Sequence, residues 1–237
     1  MLITTFGLRR SGNHLVRRWV SPEPATAHVF VRGISCSRPH PARFLDDVDS
    51  GVHTLGVEDG TYRDIAGDDQ LSEIITKTHR FINVVRDPIN TLASYIQASR
   101  QAPSKRGRHL REDCLSLGIV GPIATISHRF PCFLETPPDG RIVLYEKFIA
   151  SAEYREDLAR WLCIDPCEDA FRTVSHQLGG SSFSGSRVPT IEEATNRWRL
   201  FKDDPYYLWY LQSPGLLSSR EQLYGPLPPE LEERIHG

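Results

Sequence analysis

Gly7 and Gly12 bracket Leu-Arg-Arg-Ser, a G-x-x-x-x-G spacing, and Asn13-His14 follow directly. Between a strand and a helix, such a loop aims several backbone N–H groups and the positive end of the helix at one point. That arrangement holds a phosphate or sulfate group. A kinase or ATPase loop would continue with Lys and then Ser or Thr, which reach the phosphates and hold magnesium. With Asn13 and His14 in those places, the loop keeps the anion cradle and lacks the metal ligand and the usual lysine.

A second constellation is Val84-Val-Arg-Asp-Pro-Ile-Asn-Thr-Leu-Ala-Ser-Tyr95. Arg86 leaves the end of an apolar run and Ser94 falls two turns into the segment opened by Pro88. A guanidinium and a hydroxyl so placed could receive a second anionic group. The alternative is an Arg86 paired with Asp87 or a neighbouring carboxylate, and a Ser94 facing solvent.

The elements that must position these residues follow from the hydrophobic pattern. Leu2 to Phe6 is apolar and β-prone, and Leu15, Val16, Trp19 and Val20 recur at helical spacing. Pro22 and Pro24 mark a turn. His28 to Arg32 reads as a second strand, and residues 33 to 51 as loop with a short helix near Phe44-Leu45. Val52 to Val57 reads as a third strand, ending in Glu58-Asp59-Gly60. Phe81 to Val85 has the character of a buried parallel strand, and Pro88 suits a helix start, with Ile89, Leu92, Ala93 and Ile96 on one face. Lys105, Arg106, Arg108 and Arg111 belong to a basic, solvated loop. Cys114 to Phe133 reads as a core helix. Arg141 to Tyr145 is the clearest strand, Ser151 to Leu162 an amphipathic helix, and Cys167 to His176 a further helix. Gly179 to Gly185 is a polar loop, Ile191 to Phe201 and Pro205 to Leu211 are helical and aromatic, and Pro226 to Pro229 introduce a short terminal segment. Alternating strands and helices predict an α/β fold with a parallel, doubly wound sheet, whose ligands bind beyond the strand C-termini.

At 237 residues, with 39% hydrophobic and 24% charged residues, the chain reads as one globular domain over residues 1–237. A net charge of -2 sets up no basic field for a nucleic acid polymer. Arg9 and Arg10 interrupt the N-terminal apolar run before it becomes a signal peptide, and no run reaches the length of a membrane span, so a soluble, cytoplasmic protein is expected. Five scattered cysteines suggest reduced thiols, with no disulfide framework and no zinc site. Arg17 and Arg18 read as ordinary surface charges.

Taken together, the two constellations resemble the sulfotransferases that use 3′-phosphoadenosine-5′-phosphosulfate (PAPS). Arg9-Arg10-Ser11-Gly12-Asn13-His14 is similar to that family's 5′-phosphosulfate loop, in its Arg-Ser-Gly-Asn-His variant. Arg86-Asp87-Pro88 with Ser94 is similar to its 3′-phosphate element. Val143-Leu-Tyr-Glu-Lys-Phe148 resembles its strand ending in Tyr-Glu. Gly180-Ser-Ser-Phe-Ser-Gly185, with Arg197-Trp198 downstream, takes the place of its loop over the nucleotide. The resemblance implies a three-layer α/β fold with a mostly parallel central sheet and a P-loop-like phosphosulfate-binding loop. It further implies PAPS as donor, adenosine 3′,5′-bisphosphate as product, no metal, and a small-molecule or glycan acceptor. Donor contacts would come from Arg9, Arg10, Ser11, Gly12, Asn13, His14, Arg86, Ser94, Ser181 and Ser182. Arg10, in the place of the family's lysine, and His14 would attend the transferred group.

An acceptor hydroxyl, or less readily an amine, must lose a proton as it attacks, so a general base is expected. Glu58, at a strand end, stands near where carbohydrate and tyrosyl sulfotransferases place a glutamate. Lys77-Thr78-His79 resembles the Lys-Thr-His motif of cytosolic members, although His79 lies only seven residues before Arg86. Glu58 and His79 are thus both candidates. Two rival readings are a P-loop phosphotransferase with a degenerate loop and a non-catalytic nucleotide- or anion-binding protein.

Overall fold

The computed structural model describes residues 1–8, 10–21, 26–32, 35–36, 51–67, 72–101, 129–172 and 188–237. Arg9, the expected helix near Phe44, the basic loop to Arg111, most of the Cys114 to Phe133 segment, and Ser181 and Ser182 lie outside them. The chain divides into two compact units, Met1–Val85 with Cys132–Thr173, and Arg86–Pro131 with Val174–Gly237.

In the first unit the described residues form strands β1 (Leu2–Gly7), β2 (Thr26–Arg32), β3 (Ser35–Cys36), β4 (His53–Glu58), β5 (Arg80–Val85) and β6 (Gly140–Leu144). Their order across the sheet is β3-β2-β4-β1-β5-β6. All pairings are parallel except that of the short β3 with β2. The central β1 is buried along its whole length, which is why it reads as apolar on both faces. Its last residue, Gly7, stands in register with Glu58 of β4 on one side and Val84 of β5 on the other. The chain goes to one side of β1 for β4 and crosses to the other for β5. The ends of these three strands therefore form the crevice where such sheets bind ligands.

Helices cover both faces of the sheet, giving three layers. On one face lies α1 (Asn13–Val20), whose Val16, Trp19 and Val20 join Ile3, Ile82, Val84 and Val143 in one buried cluster. Phe148 of α5 (Tyr145–Ala150) and Leu158 and Leu162 of α6 (Ala152–Leu162) complete it. Trp19 meets Phe148 edge to face at 5.1 Å, and its indole N–H donates to Glu168 at 2.8 Å. On the other face Phe81 stacks with Phe6, and Tyr62 of α2 (Tyr62–Ala66) meets it edge-on. Ile65 of α2 and Ile74 of α3 (Ser72–Lys77) are fully buried. Thr61 opens α2 through a reciprocal cap with Asp64, fixing the turn that follows β4. The stretch Glu73 to Lys77 is therefore helix, and the strand begins only at Arg80.

The second unit starts as the chain leaves β5. Among its described elements are α4 (Pro88–Gln101), α7 (Ile191–Thr195), a 3₁₀ turn (Arg197–Leu200), α8 (Pro205–Leu211), α9 (Leu216–Tyr224) and α10 (Pro229–His236). The Asp87 carbonyl accepts from the N–H groups of Asn90 and Thr91, and its carboxylate accepts from Ile89 N–H at 3.2 Å, so Asp87 opens α4. The Tyr207 hydroxyl donates to the Ile89 carbonyl at 3.0 Å, and Asp204 caps α8. The short terminal segment introduced by Pro226 to Pro229 is the helix α10, and α9, which precedes it, was not among the expected elements. No helix among the described residues is long and apolar enough to cross a membrane.

Candidate functional site

Gly7 ends β1 and must be glycine for the loop to fold back over it. A Cβ there would lie 2.6 Å from Ser11 Oγ, 3.3 Å from Asn13 Cβ and 3.3 Å from the Val84 carbonyl oxygen. The Ser11 N–H donates to the Leu8 carbonyl at 3.0 Å, closing a turn in which Arg10 takes a left-handed conformation, φ 67°. Gly12 is also left-handed, φ 89°, and its carbonyl accepts from Leu15 and Val16 N–H to start α1. The Tyr145 ring packs so tightly on Gly12 that a Cβ would come within 2.1 Å of it. Left-handed residues alternating at a helix start turn backbone N–H groups inward, as in anion-binding nests. The first N–H groups of α1, those of Asn13 and His14, have no acceptor inside the helix.

Ser11 and Asn13 are 2% and 1% exposed, and the Ser11 hydroxyl and the Asn13 side-chain amide have no hydrogen-bond partner among the described residues. Buried polar atoms are almost always satisfied, so these two side chains fit a loop that closes around a polar group. An oxyanion accepts from both a hydroxyl and an amide N–H.

Glu58, at the end of the strand next to β1, is 5% exposed and lies with Oε1 at 2.9 Å from Nε2 of His14. Two residues that the sequence offered separately are thus in direct contact. Arg63, on α2 just after β4, pairs with Glu135 at 2.8 Å. His79 is elsewhere. Its Nδ1 accepts from the Leu2 N–H at 3.2 Å, at the start of β1, while the loop follows the end of that six-residue strand. At roughly 3.3 Å per residue, most of the sheet's height separates them. His79 is thus not brought beside the loop residues. The reading of Arg17 as a surface charge is corrected: it is 2% exposed, with its guanidinium packed where a Cβ on Gly56 would be.

In the second unit Arg86, 4% exposed, donates through Nη1 to Ser94 Oγ at 3.4 Å and through Nη2 to the Ala194 carbonyl. Arg197 donates to the same Ser94 oxygen at 2.9 Å, and Ser94, wholly buried, donates to the Asn90 carbonyl at 2.8 Å. Asp87 has Arg220 as a bidentate partner. Its two oxygens receive Nε and Nη2 of Arg220 at 3.0 and 2.9 Å. Burial pushes the Asp87 carboxyl above its ordinary range, against the opposing pull of Arg220 and, more weakly, Arg86. Burial, helped by the Asp87 charge, pushes the Tyr207 phenol well above its usual range. Two guanidinium groups on one hydroxyl form a concentrated positive site suited to a multiply charged oxyanion.

Several of these relations were invisible in the chain. Arg220 carries no local signal, and Tyr145 was noted only as a strand end. Arg197 was noted only for its place downstream of Ser181 and Ser182.

No protein-family model matches the chain, and no curated protein does. Among solved structures the chain is similar to mouse sulfotransferase SULT7A1 complexed with PAP, at 14% identity and a TM-score of 0.43. The match covers 71% of this chain and 59% of the mouse chain.

Proposed function

We propose that this chain is a sulfotransferase that uses PAPS. The observation that carries the reading is the convergence of Arg86 and Arg197 on Ser94, which suits a phosphate that ATP and ADP lack. In this reading Arg86, Ser94 and Arg197 hold the 3′-phosphate. Arg10, Ser11, Gly12, Asn13 and His14 hold the 5′-phosphosulfate, with Arg9, Ser181 and Ser182 assigned by resemblance. The buried Ser11 hydroxyl and Asn13 amide give the loop donors that fit such a group.

PAPS, when bound, supplies an activated sulfuryl group and leaves as adenosine 3′,5′-bisphosphate. The chain's own residues bind and neutralise charge: inward N–H groups and the Arg10 guanidinium draw the oxyanion in, without a magnesium ligand after Gly12. Glu58 gives Oε1 to His14, and Oε2, outside that contact, takes the proton of an acceptor hydroxyl. The acceptor is a small molecule or glycan.

The test is turnover. Purified protein with PAPS and a panel of hydroxylated acceptors should release adenosine 3′,5′-bisphosphate in the presence of EDTA. Turnover of ATP that requires magnesium would favour the phosphotransferase, and nucleotide binding with no turnover on any acceptor would favour a binding protein.

A further inference from the structure

We infer that Asn90 reads the sugar beside the phosphate held by Arg86, Ser94 and Arg197: its side-chain oxygen accepts from the 2′-hydroxyl of a ribose, so the site selects a ribonucleoside 3′-phosphate. The inference rests on reading those three residues as the 3′-phosphate site.

Asn90 lies in the first turn of α4 and is 2% exposed. Its amide is oriented from one end. Nδ2 donates to the Thr195 carbonyl at 2.7 Å, and a carbonyl oxygen is met by the N–H side of an amide. Oδ1 is therefore the remaining atom, an acceptor that carries no proton. It is buried and has no hydrogen-bond partner among the described residues. Buried polar atoms are almost always satisfied, and this one is satisfied only by a donor. A fully ionised phosphate offers acceptor oxygens alone. A bare oxyanion thus leaves Asn90 unexplained, whereas a ligand with a hydroxyl next to its phosphate explains it.

The surrounding hydrogen bonds place that oxygen beside the two guanidinium groups. Arg86 Nη2 donates to the Ala194 carbonyl and Asn90 to the next carbonyl along the chain, that of Thr195. Arg197 follows two residues later, at the start of the 3₁₀ turn. On α4, Ser94 stands four residues after Asn90 and three after Thr91, so it neighbours both along the helix surface. The Thr91 hydroxyl is buried as well and has no partner among the described residues. A hydroxyl can donate to a phosphate oxygen, which the Asn90 side-chain oxygen cannot. The cluster therefore presents donors for an oxyanion and one obligate acceptor for a hydroxyl. In a ribonucleoside 3′-phosphate these two features sit on adjacent ring carbons.

Discrimination follows from the unpaired atom. A ribose completes the Asn90 hydrogen bond on binding, and a sugar without that O–H leaves Oδ1 buried with no donor, so the site rejects it. Asn90 is a binding residue that sets which nucleotides are admitted, and takes no part in moving the sulfuryl group.

Calorimetry tests this with adenosine 3′,5′-bisphosphate and its 2′-deoxy and 2′-deoxy-2′-fluoro analogues, which keep both phosphates and cannot donate from the 2′ carbon. Wild type should bind the ribose form roughly 10–100-fold more tightly than either analogue, the effect of one buried polar atom left unpaired. Asn90→Leu, similar in volume and without the acceptor, should bring the three affinities together. A variant that binds all three more weakly but keeps the ribose preference would show a merely structural role and overturn the inference. Equal affinities of wild type for all three, the result of a buried water serving Oδ1, would overturn it too. That comparison needs wild-type protein alone and stands even where Asn90→Leu fails to fold. Absence of wild-type binding to the 3′,5′-bisphosphate itself would bring down the 3′-phosphate reading, and this inference with it.

Discussion

Arg86 and Arg197 donate to a single oxygen, Ser94 Oγ, at 3.4 and 2.9 Å. Like charges gathered on one buried hydroxyl repel one another, and an anion with several oxygens relieves this by accepting from both. Arg197→Gln should therefore weaken binding of adenosine 3′,5′-bisphosphate by roughly 10–100-fold, the loss of a charge-assisted hydrogen bond. Binding of 5′-AMP should hardly change. Calorimetry with both nucleotides checks this, and equal losses would count against a 3′-phosphate at this site.

Glu58→Gln should cut turnover by roughly 10²–10⁴-fold while nucleotide binding in mildly acidic buffer survives. His79→Ala, altered at the opposite end of β1 from the loop, should keep its turnover. Steady-state rates of the two variants decide it, and a reversed pattern would return the base to His79.

Gly12→Ala meets two obstacles, the left-handed φ of 89° and the Tyr145 ring. Together they should cost about 2–5 kcal/mol. Adding Tyr145→Ala removes the second obstacle only. Gly12→Ala should therefore destabilise the Tyr145→Ala background less than wild type in denaturant titrations. Equal costs in both backgrounds would contradict the packing of Tyr145 on Gly12.

Asp87 and Arg220 give a prediction whose sign depends on pH. Burial raises the folded-state pKa of Asp87, so its linkage contribution to stability is fully present below the unfolded pKa and is lost as pH rises through the folded one. The Arg220 guanidinium beside the carboxylate is the main opposition to that rise. Arg220→Met leaves a buried carboxylate without its bidentate partner and should cost about 3–5 kcal/mol at neutral pH. The deficit should shrink in mildly acidic buffer, where Asp87 can take a proton. Thermal unfolding of wild type and variant at the two pH values measures this, and a deficit that grows on acidification would contradict it.

The parallel strands were legible where burial on both faces leaves an apolar run, as in Leu2–Gly7 and Arg80–Val85, and the mostly half-buried edge strand Gly140–Leu144 was legible from its Ile-Val-Leu run. The loop was legible because Gly7 and Gly12 are required by local geometry. Helix α9 was not, since the buried Ser219 and Arg220 interrupt the stripe that Leu216, Leu217, Leu223 and Tyr224 would otherwise mark as apolar. Arg17 looked like a surface charge because nothing local says that Gly56 leaves room for a guanidinium. The contacts of Glu58 with His14 and of Arg197 with Ser94 join residues far apart in the chain, and only the folded sheet and helices bring them together. The Lys77-Thr78-His79 motif was readable too, but that His79 sits at the start of β1, away from the loop, was not.

The most direct test of the central claim is the shift in melting temperature caused by equal concentrations of adenosine 3′,5′-bisphosphate, 5′-AMP and ADP. The proposed use of PAPS predicts a far larger rise with the 3′,5′-bisphosphate than with either of the others. Equal shifts from all three, or a larger one from ADP, would contradict it.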